Sequence, residues 1–263
     1  MALGFGILLL LLCAGLVVPL VGKWWWFPVL ASQHGGAIDD QFVFSMILCA
    51  LIFIPAQMGL GYAIFRYRDR GQTAHYSHGN NKLEALWIVA TAIFFLGMNL
   101  MGQRLWAQIQ FRSAEPGALR IEVTGKQFAW NMRYAGPDGK FGRLDLRQIS
   151  DASGNPLGLD SQDPAGRDDV VSPTMMLPVN RPIELILRSQ DVTHSFFVRE
   201  LRVKQDAVPG MLIRVHFTPT LVGKYELACA ELCGLGHYKM RSFVEIVPEQ
   251  DFEKWLKSQA TGQ

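Results

Sequence analysis

Cysteine is scarce in this chain, with four residues in 263. That excludes a small scaffold held together by many disulfides. No Cys-x-x-Cys-His run occurs, so no covalently attached c-type haem is expected. Neither sign of charge dominates: 25 Lys and Arg stand against 23 Asp and Glu. Nothing in that balance suggests nucleic acid as a partner, and net charge selects no protein partner. Charge is missing altogether from three stretches, 3–22, 42–65 and 85–102. Each approaches the ~20 apolar residues that carry a helix across a bilayer. Three such lengths followed by a polar half predict a membrane anchor over 1–102 and a soluble domain over 103–263.

The connection between the second and third runs sets the orientation. Arg66, Arg68, Arg70 and Lys82 face only Asp69 there. Positive charge beside membrane helices marks the cytoplasmic side. The third helix then delivers the C-terminal half to the outer face, which in a bacterium is the periplasmic side of the inner membrane. Trp24, Trp25 and Trp26 follow the first run and fit an interfacial aromatic belt. That run lacks a basic n-region and is followed by Trp-Trp-Trp-Phe-Pro, a poor cleavage context. It reads as a retained helix rather than a signal peptide. Pro55 is tolerable in the second helix if neighbours satisfy the freed carbonyl. Cys13 and Cys49 lie inside these runs and behave as small apolar residues.

The soluble half reads as β structure. Alternating or β-rich segments at 119–125, 128–134, 183–189, 212–217, 224–229 and 242–247 predict strands. Gly-Pro-Asp-Gly at 136–139 and Val-Pro-Gly at 208–210 punctuate them. Many short strands with such turns indicate a sandwich or barrel. Phe252, Trp255 and Leu256 share one face of a terminal helix over 250–259. Residues 135–172 form a loop rich in Gly, Pro and Asp without periodicity. Its Asp160, Asp163, Asp168 and Asp169, against Arg167, form an acidic patch that could steer a basic protein. His34, His75 and His78 sit in polar loops and are expected to be solvated, and His216 to lie on a sheet surface.

The chemistry concentrates in residues 229–240, Cys-Ala-Glu-Leu-Cys-Gly-Leu-Gly-His-Tyr-Lys-Met. Cys229, Cys233, His237 and Met240 offer two thiols, an imidazole and a thioether, and His194 lies 35 residues before the first thiol. Soft sulfur with imidazole selects copper or zinc over hard cations. Structural zinc has no use for Met, whereas a weak Met ligand beside Cys and His is a copper electron-transfer pattern. The two thiols suggest two coppers. Alone, the Cys pair would read first as a disulfide, and zinc is the other competing assignment.

Taken with its flanks, the run Cys229-x-Glu231-x-Cys233-Gly234-x-x-His237-x-x-Met240 resembles the dinuclear copper A loop of cytochrome c oxidase subunit II. His194-Ser-Phe, Lys204-Gln-Asp206-Ala-Val-Pro209-Gly210 and Phe252-Glu253-Lys254-Trp255 resemble further blocks of that family, so the likeness spans about 40–256. It implies a cupredoxin-like Greek-key sandwich behind N-terminal transmembrane helices. It implies thiolates of Cys229 and Cys233 bridging both coppers, His194 and His237 as imidazole ligands, Met240 as a weak ligand and Glu231 binding through its carbonyl. The Glu231 carboxylate would face a magnesium ion shared with subunit I, oxygen being the ligand a hard cation prefers. Glu84 matches a glutamate at a proton-uptake mouth, and Lys204 and Asp206 match polar residues of the subunit interface. The implied partners are subunit I with haem a, haem a3 and a further copper, subunit III, membrane lipid, and cytochrome c as donor. The implied role is electron uptake for a proton-pumping oxidase that reduces oxygen to water. A copper A subunit of a nitric oxide reductase and a membrane-bound copper carrier are the alternatives.

Three features depart from that family. Its mature members usually have two membrane helices, not three. Where they carry Trp-Tyr-Trp, this chain has Phe128-Ala129-Trp130, which puts the site of electron arrival at Phe128 or Trp130 in question. The 135–172 insert, with the Phe128 change, looks like oxidases that work with alternative complex III, whose cytochrome domain would then be the donor.

Overall fold

The structure, a computed structural model, describes residues 2–22, 27–71, 73, 76, 78–136, 138–160 and 162–260. The Trp24–Trp26 belt and His75 lie outside them. The chain divides into a helical unit (1–27 and 37–105) and a β unit (28–36 and 106–263).

The helical unit holds α1 (Ala2–Val21), α2 (Gly35–Arg66) and α3 (Asn81–Gln110). The uncharged stretches mark the middles of the last two helices. Both run on into polar residues, since Asp39, Asp40 and Arg104 are tolerable where a helix leaves the hydrocarbon. A helix of 30 residues is about 45 Å long, against roughly 30 Å of hydrocarbon. The start of α3 is fixed by Asn80, whose Oδ1 accepts from Lys82 N and Leu83 N at 3.1 and 3.3 Å. Among the described residues α2 and α3 are long and apolar enough to cross a membrane, while the apolar part of α1, Gly4–Pro19, is shorter. Leu9 of α1 approaches α2 at Gly61, where a Cβ would lie 3.8 Å from Leu9 Cδ1. The first helix therefore packs on the second.

The β unit is a sandwich of two five-stranded sheets with a C-terminal helix. One sheet orders β3 (Val170–Ser172), β2 (Ala129–Tyr134), β1 (Leu119–Lys126), β5 (Ile183–Ser189) and β8 (Ile213–Phe217). The other orders β4 (Met175–Pro178), β10 (Arg241–Val247), β9 (Gly223–Cys229), β6 (His194–Val198) and β7 (Val203–Ala207). The β1–β5 and β4–β10 pairs are parallel and the others antiparallel. Alternate residues point inward, so Ile121, Val123, Trp130, Met132, Leu185, Leu187, Phe196, Leu227 and Val244 form the buried core. The helix α4 (Glu249–Ala260) closes one end, with Phe252 buried and Trp255 edge-on to Tyr134 at 5.0 Å.

Two segments behave differently from their sequence. The α1–α2 connector is built into the sandwich. Ala31 N donates to Glu200 O at 2.8 Å, Thr220 N to Ala31 O at 2.8 Å and Gln33 N to Thr218 O at 3.0 Å. Ala31 and Ser32 are buried, and His34 is largely withdrawn from solvent rather than solvated. The acids of the insert do not form a free patch. Asp160 and Asp163 pair with Arg143, Asp169 pairs with Arg133 inside the domain, and Asp168 accepts from Asp138 N at 3.2 Å. They fasten the insert down.

Candidate metal centre

Four elements bring the sulfur and imidazole donors together. His194 opens β6 and Cys229 ends β9, adjacent strands in register at Phe196 and Cys229. The loop 230–240 leaves β9 and returns as β10. Its ends are pinned by Cys229 N donating to Met240 O at 3.1 Å and Ala230 N donating to Ser195 O at 3.0 Å. Gly234 turns the loop at φ +133, a conformation that side chains rarely adopt. A short turn at His237–Lys239 then brings His237 and Met240 back towards the thiols.

The two thiols are free, with Cys229 Sγ and Cys233 Sγ 3.9 Å apart. A disulfide needs about 2.05 Å, so the pair stands open. Cys229 Sγ lies 3.9 Å from His194 Nδ1, and its thiol donates to Glu231 O at 3.2 Å. Cys233 Sγ lies 3.6 Å from His237 Nδ1 and 3.7 Å from Met240 Sδ. The ligand atoms of His194, Cys229 and Cys233 all lie within 4.8 Å of one another. His194, both cysteines and Met240 are buried, while His237 is half-buried. Burial, then the neighbouring Cys229, pushes the Cys233 thiol up to about 11. A metal must displace that proton to bind.

The surroundings prepare the donors. His194 Nε2 lies 2.8 Å from Asp191 Oδ1. With the proton held on that side, Nδ1 turns its lone pair to the thiols. Asp191 is itself fixed by Gln127 N at 2.7 Å and Val192 N at 2.7 Å. Burial raises its pKa, but these donors and His194 outweigh it and hold the carboxyl below the usual range. Gln127 also donates from Nε2 to Cys233 O at 2.6 Å, so one hairpin residue holds both sides of the cluster. Trp130 lies edge-on to His194 with ring centroids 5.9 Å apart. A Cβ at Gly125 would come 2.9 Å from His194 Cδ2 and 3.1 Å from Trp130 Cζ3, so glycine is required there.

The family model for the periplasmic domain of cytochrome c oxidase subunit II matches residues 119–247, from the start of β1 to the end of β10. The "Alternative cytochrome c oxidase subunit 2" of Bradyrhizobium diazoefficiens is 36% identical over 258 residues, covering 97% of this chain and 91% of that protein. The chain belongs to the cytochrome c oxidase subunit II family. Subunit 2 of Thermostichus vulcanus is 29% identical over 305 residues, covering 94% of this chain and 84% of that protein. Subunit 2 of Cereibacter sphaeroides is 28% identical over 230 residues, covering 83% and 74%. Membership makes the chain a component of an oxidoreductase complex. The membrane-crossing lengths of α2 and α3, ahead of a periplasmic-type domain, make it membrane-anchored. The sandwich with its terminal helix is the cupredoxin-like domain of this family.

Other predicted site residues fall outside the donor cluster. Phe128 is 38% exposed and covers the loop, since a Cβ at Gly234 would lie 3.2 Å from its Cζ. Trp130 faces the core at 2% exposure. Glu231 keeps its carbonyl at the thiols and its residue exposed. Glu84 lies in the first turn of α3, where a carboxylate also complements the helix dipole. Lys204 and Asp206 form an exposed pair at 3.4 Å. Asp191, Gln127 and Gly125 were missed by sequence reasoning. Asp-x-x-His in 191–194 was the one available signal.

Proposed function

We propose that His194, Cys229, Cys233, His237 and Met240, with the carbonyl of Glu231, hold a dinuclear copper centre. The donor set fits the metal: two unbridged thiols, two imidazoles and a thioether converge in a nearly dry pocket, a combination suited to copper. The observation that carries the reading is the 3.9 Å gap between two buried, free sulfurs with an imidazole at each. When bound, copper held by Cys229, Cys233, His194, His237 and Met240 would supply one-electron redox chemistry. The protein's part is to change little. Strands β6, β9 and β10 anchor the loop, Asp191 fixes the His194 tautomer, and Gln127 ties Cys233 to the hairpin.

The function we infer is that of the electron-accepting subunit of a haem–copper oxidase. Cytochrome c, or a cytochrome domain of alternative complex III, is the donor. Haem a of subunit I is the acceptor, and oxygen is reduced at haem a3 and its copper, with subunit III completing the core. Phe128 covers the metal loop at the surface and Trp130 touches His194 from within, so they bracket the route by which electrons arrive. The Glu231 carboxylate, without an ion pair among the described residues, is free to meet magnesium at the border with subunit I. Glu84 sits at the cytoplasmic end of α3, where it would feed protons to the complex.

Elemental analysis of the purified full chain tests this. Two coppers per chain are expected, with reduction of the loaded chain by a reduced cytochrome c. Stoichiometric zinc, or a Cys229–Cys233 disulfide that resists copper under reducing conditions, would overturn it.

A further inference from the structure

At the end of β9 away from Cys229, the sandwich carries an apolar rim. Val29 and Leu30 of the α1–α2 connector, with Leu221 and Val222 of the β8–β9 turn, are between 38% and 59% exposed. Ser32 bridges Pro219 in antiparallel fashion, and Thr220 N donates to Ala31 O at 2.8 Å. That register, continued outward, sets Leu221 beside Leu30 and Val222 beside Val29. Exposed aliphatics scattered singly are ordinary, whereas a contiguous group marks a contact surface.

The chain on either side of the connector gives the height of this rim. After it comes Gly35, the first residue of α2, which is buried where a Cβ would run into Leu30, Ser32 and Arg202. The uncharged stretch of α2 opens at Phe42, about 10 Å further along the helix. Before the connector comes Phe27, whose ring lies edge-on to that of Phe42 with centroids 5.5 Å apart. Val29 follows Phe27 by two residues, a reach of about 7 Å at most. The headgroup layer is roughly 5–7 Å deep outside the hydrocarbon. The rim is therefore tethered at headgroup height from both sides. Arg202 donates to Pro28 O at 2.8 Å and to Val29 O at 3.3 Å, which holds a guanidinium at the same level. Aliphatic side chains with a cation beside them are the make-up of a surface that lies among phospholipid headgroups.

We propose that this rim binds the lipid surface, with Val29, Leu30, Leu221 and Val222 against the upper acyl carbons and Arg202 at the level of the phosphates. Lipid is the occupant because the connector runs directly into segments at hydrocarbon height, so the bilayer surface is already beside it. The contact limits rocking of the β domain and so holds the metal loop at one height above the bilayer. Cys229 and its loop lie at the other end of β9, so the contact is separate from the copper ligands and does not depend on their metal.

The test is photo-crosslinking of the full chain in cell membranes, read by mass spectrometry. Val222→benzoylphenylalanine should form phospholipid adducts about tenfold more often than Leu235→benzoylphenylalanine, on the exposed metal loop. Adding Leu221→Asp to the first variant should cut its lipid yield about tenfold, because a carboxylate resists entry among the acyl chains. Thermal unfolding should stay unchanged, since both side chains are exposed. The yields should be the same with and without copper, which keeps this result apart from the metal assignment. Equal lipid yields at positions 222 and 235 overturn the proposal, as does a yield that Leu221→Asp leaves intact. So does a cross-link from position 222 to another protein, which would give the rim to a companion subunit.

Discussion

Replacing Gly125 by Ala adds one methyl group beside the metal site, and the structure gives its consequence. The new Cβ would lie 2.9 Å from His194 Cδ2 and 3.1 Å from Cγ, with Trp130 Cζ3 at 3.1 Å. An ordinary contact begins at 3.4 Å, so the imidazole must retreat by roughly 0.5 Å. The ring cannot swing freely, because Asp191 grips its far nitrogen at 2.8 Å and Trp130 backs it. Overpacking of this kind costs ~1–3 kcal/mol. Were that strain borne by the ligand geometry alone, copper affinity would fall by about 10- to 100-fold, at tenfold per 1.4 kcal/mol. Competition with a copper chelator measures the affinity, and thermal unfolding of the metal-free protein measures any strain borne by the fold instead. A Gly125→Ala protein with wild-type copper affinity and a wild-type absorption spectrum would refute the reasoning, since the ring would then not be where the ligand must be.

Other outcomes follow from the same contacts. Asp191→Ala frees the second nitrogen of His194 and should weaken copper binding by about 10- to 100-fold, with Asp191→Asn milder because an acceptor remains; chelator competition reads both. Asp169→Asn leaves the buried Arg133 short of a counter-charge and should destabilise the soluble domain by ~3–5 kcal/mol in denaturant unfolding. Burial lowers the His34 pKa below its usual 6.5, so its neutral form belongs to the fold. The sign follows: stability is fully present above pH 6.5 and is lost as pH falls from there through the lowered value. Hydrogen-exchange protection at Ala31 and Thr220 should therefore fall below pH 6.5, and His34→Gln should flatten that dependence.

What could be read in advance was what lies close in sequence. Cys229 to Met240 are a dozen consecutive residues, so their types and spacing sufficed to nominate the ligands. The alternating strands β1, β5 and β10 showed themselves through their side-chain period. Strands β4, β6 and β7 did not, because they are short and their pattern is broken by Pro178, His194 or Asp206. Gly125 and Gln127 act across distances of 69 and 106 residues, to His194 and Cys233, and nothing local marks them. The strap at 28–36 looked like a polar loop because Ala31 and Ser32 are small, and smallness is what lets it lie between Glu200 and Thr220. The acids of the insert were visible as residues but not as staples, since their partners Arg133 and Arg143 lie 36 and 17–20 residues away.

The most direct measurement is electron paramagnetic resonance of the copper-loaded full chain. One unpaired electron divided equally between two copper nuclei is expected, with loss of that pattern in Cys229→Ser. A signal from a single copper, or a chain that holds zinc and gives no signal, would contradict it.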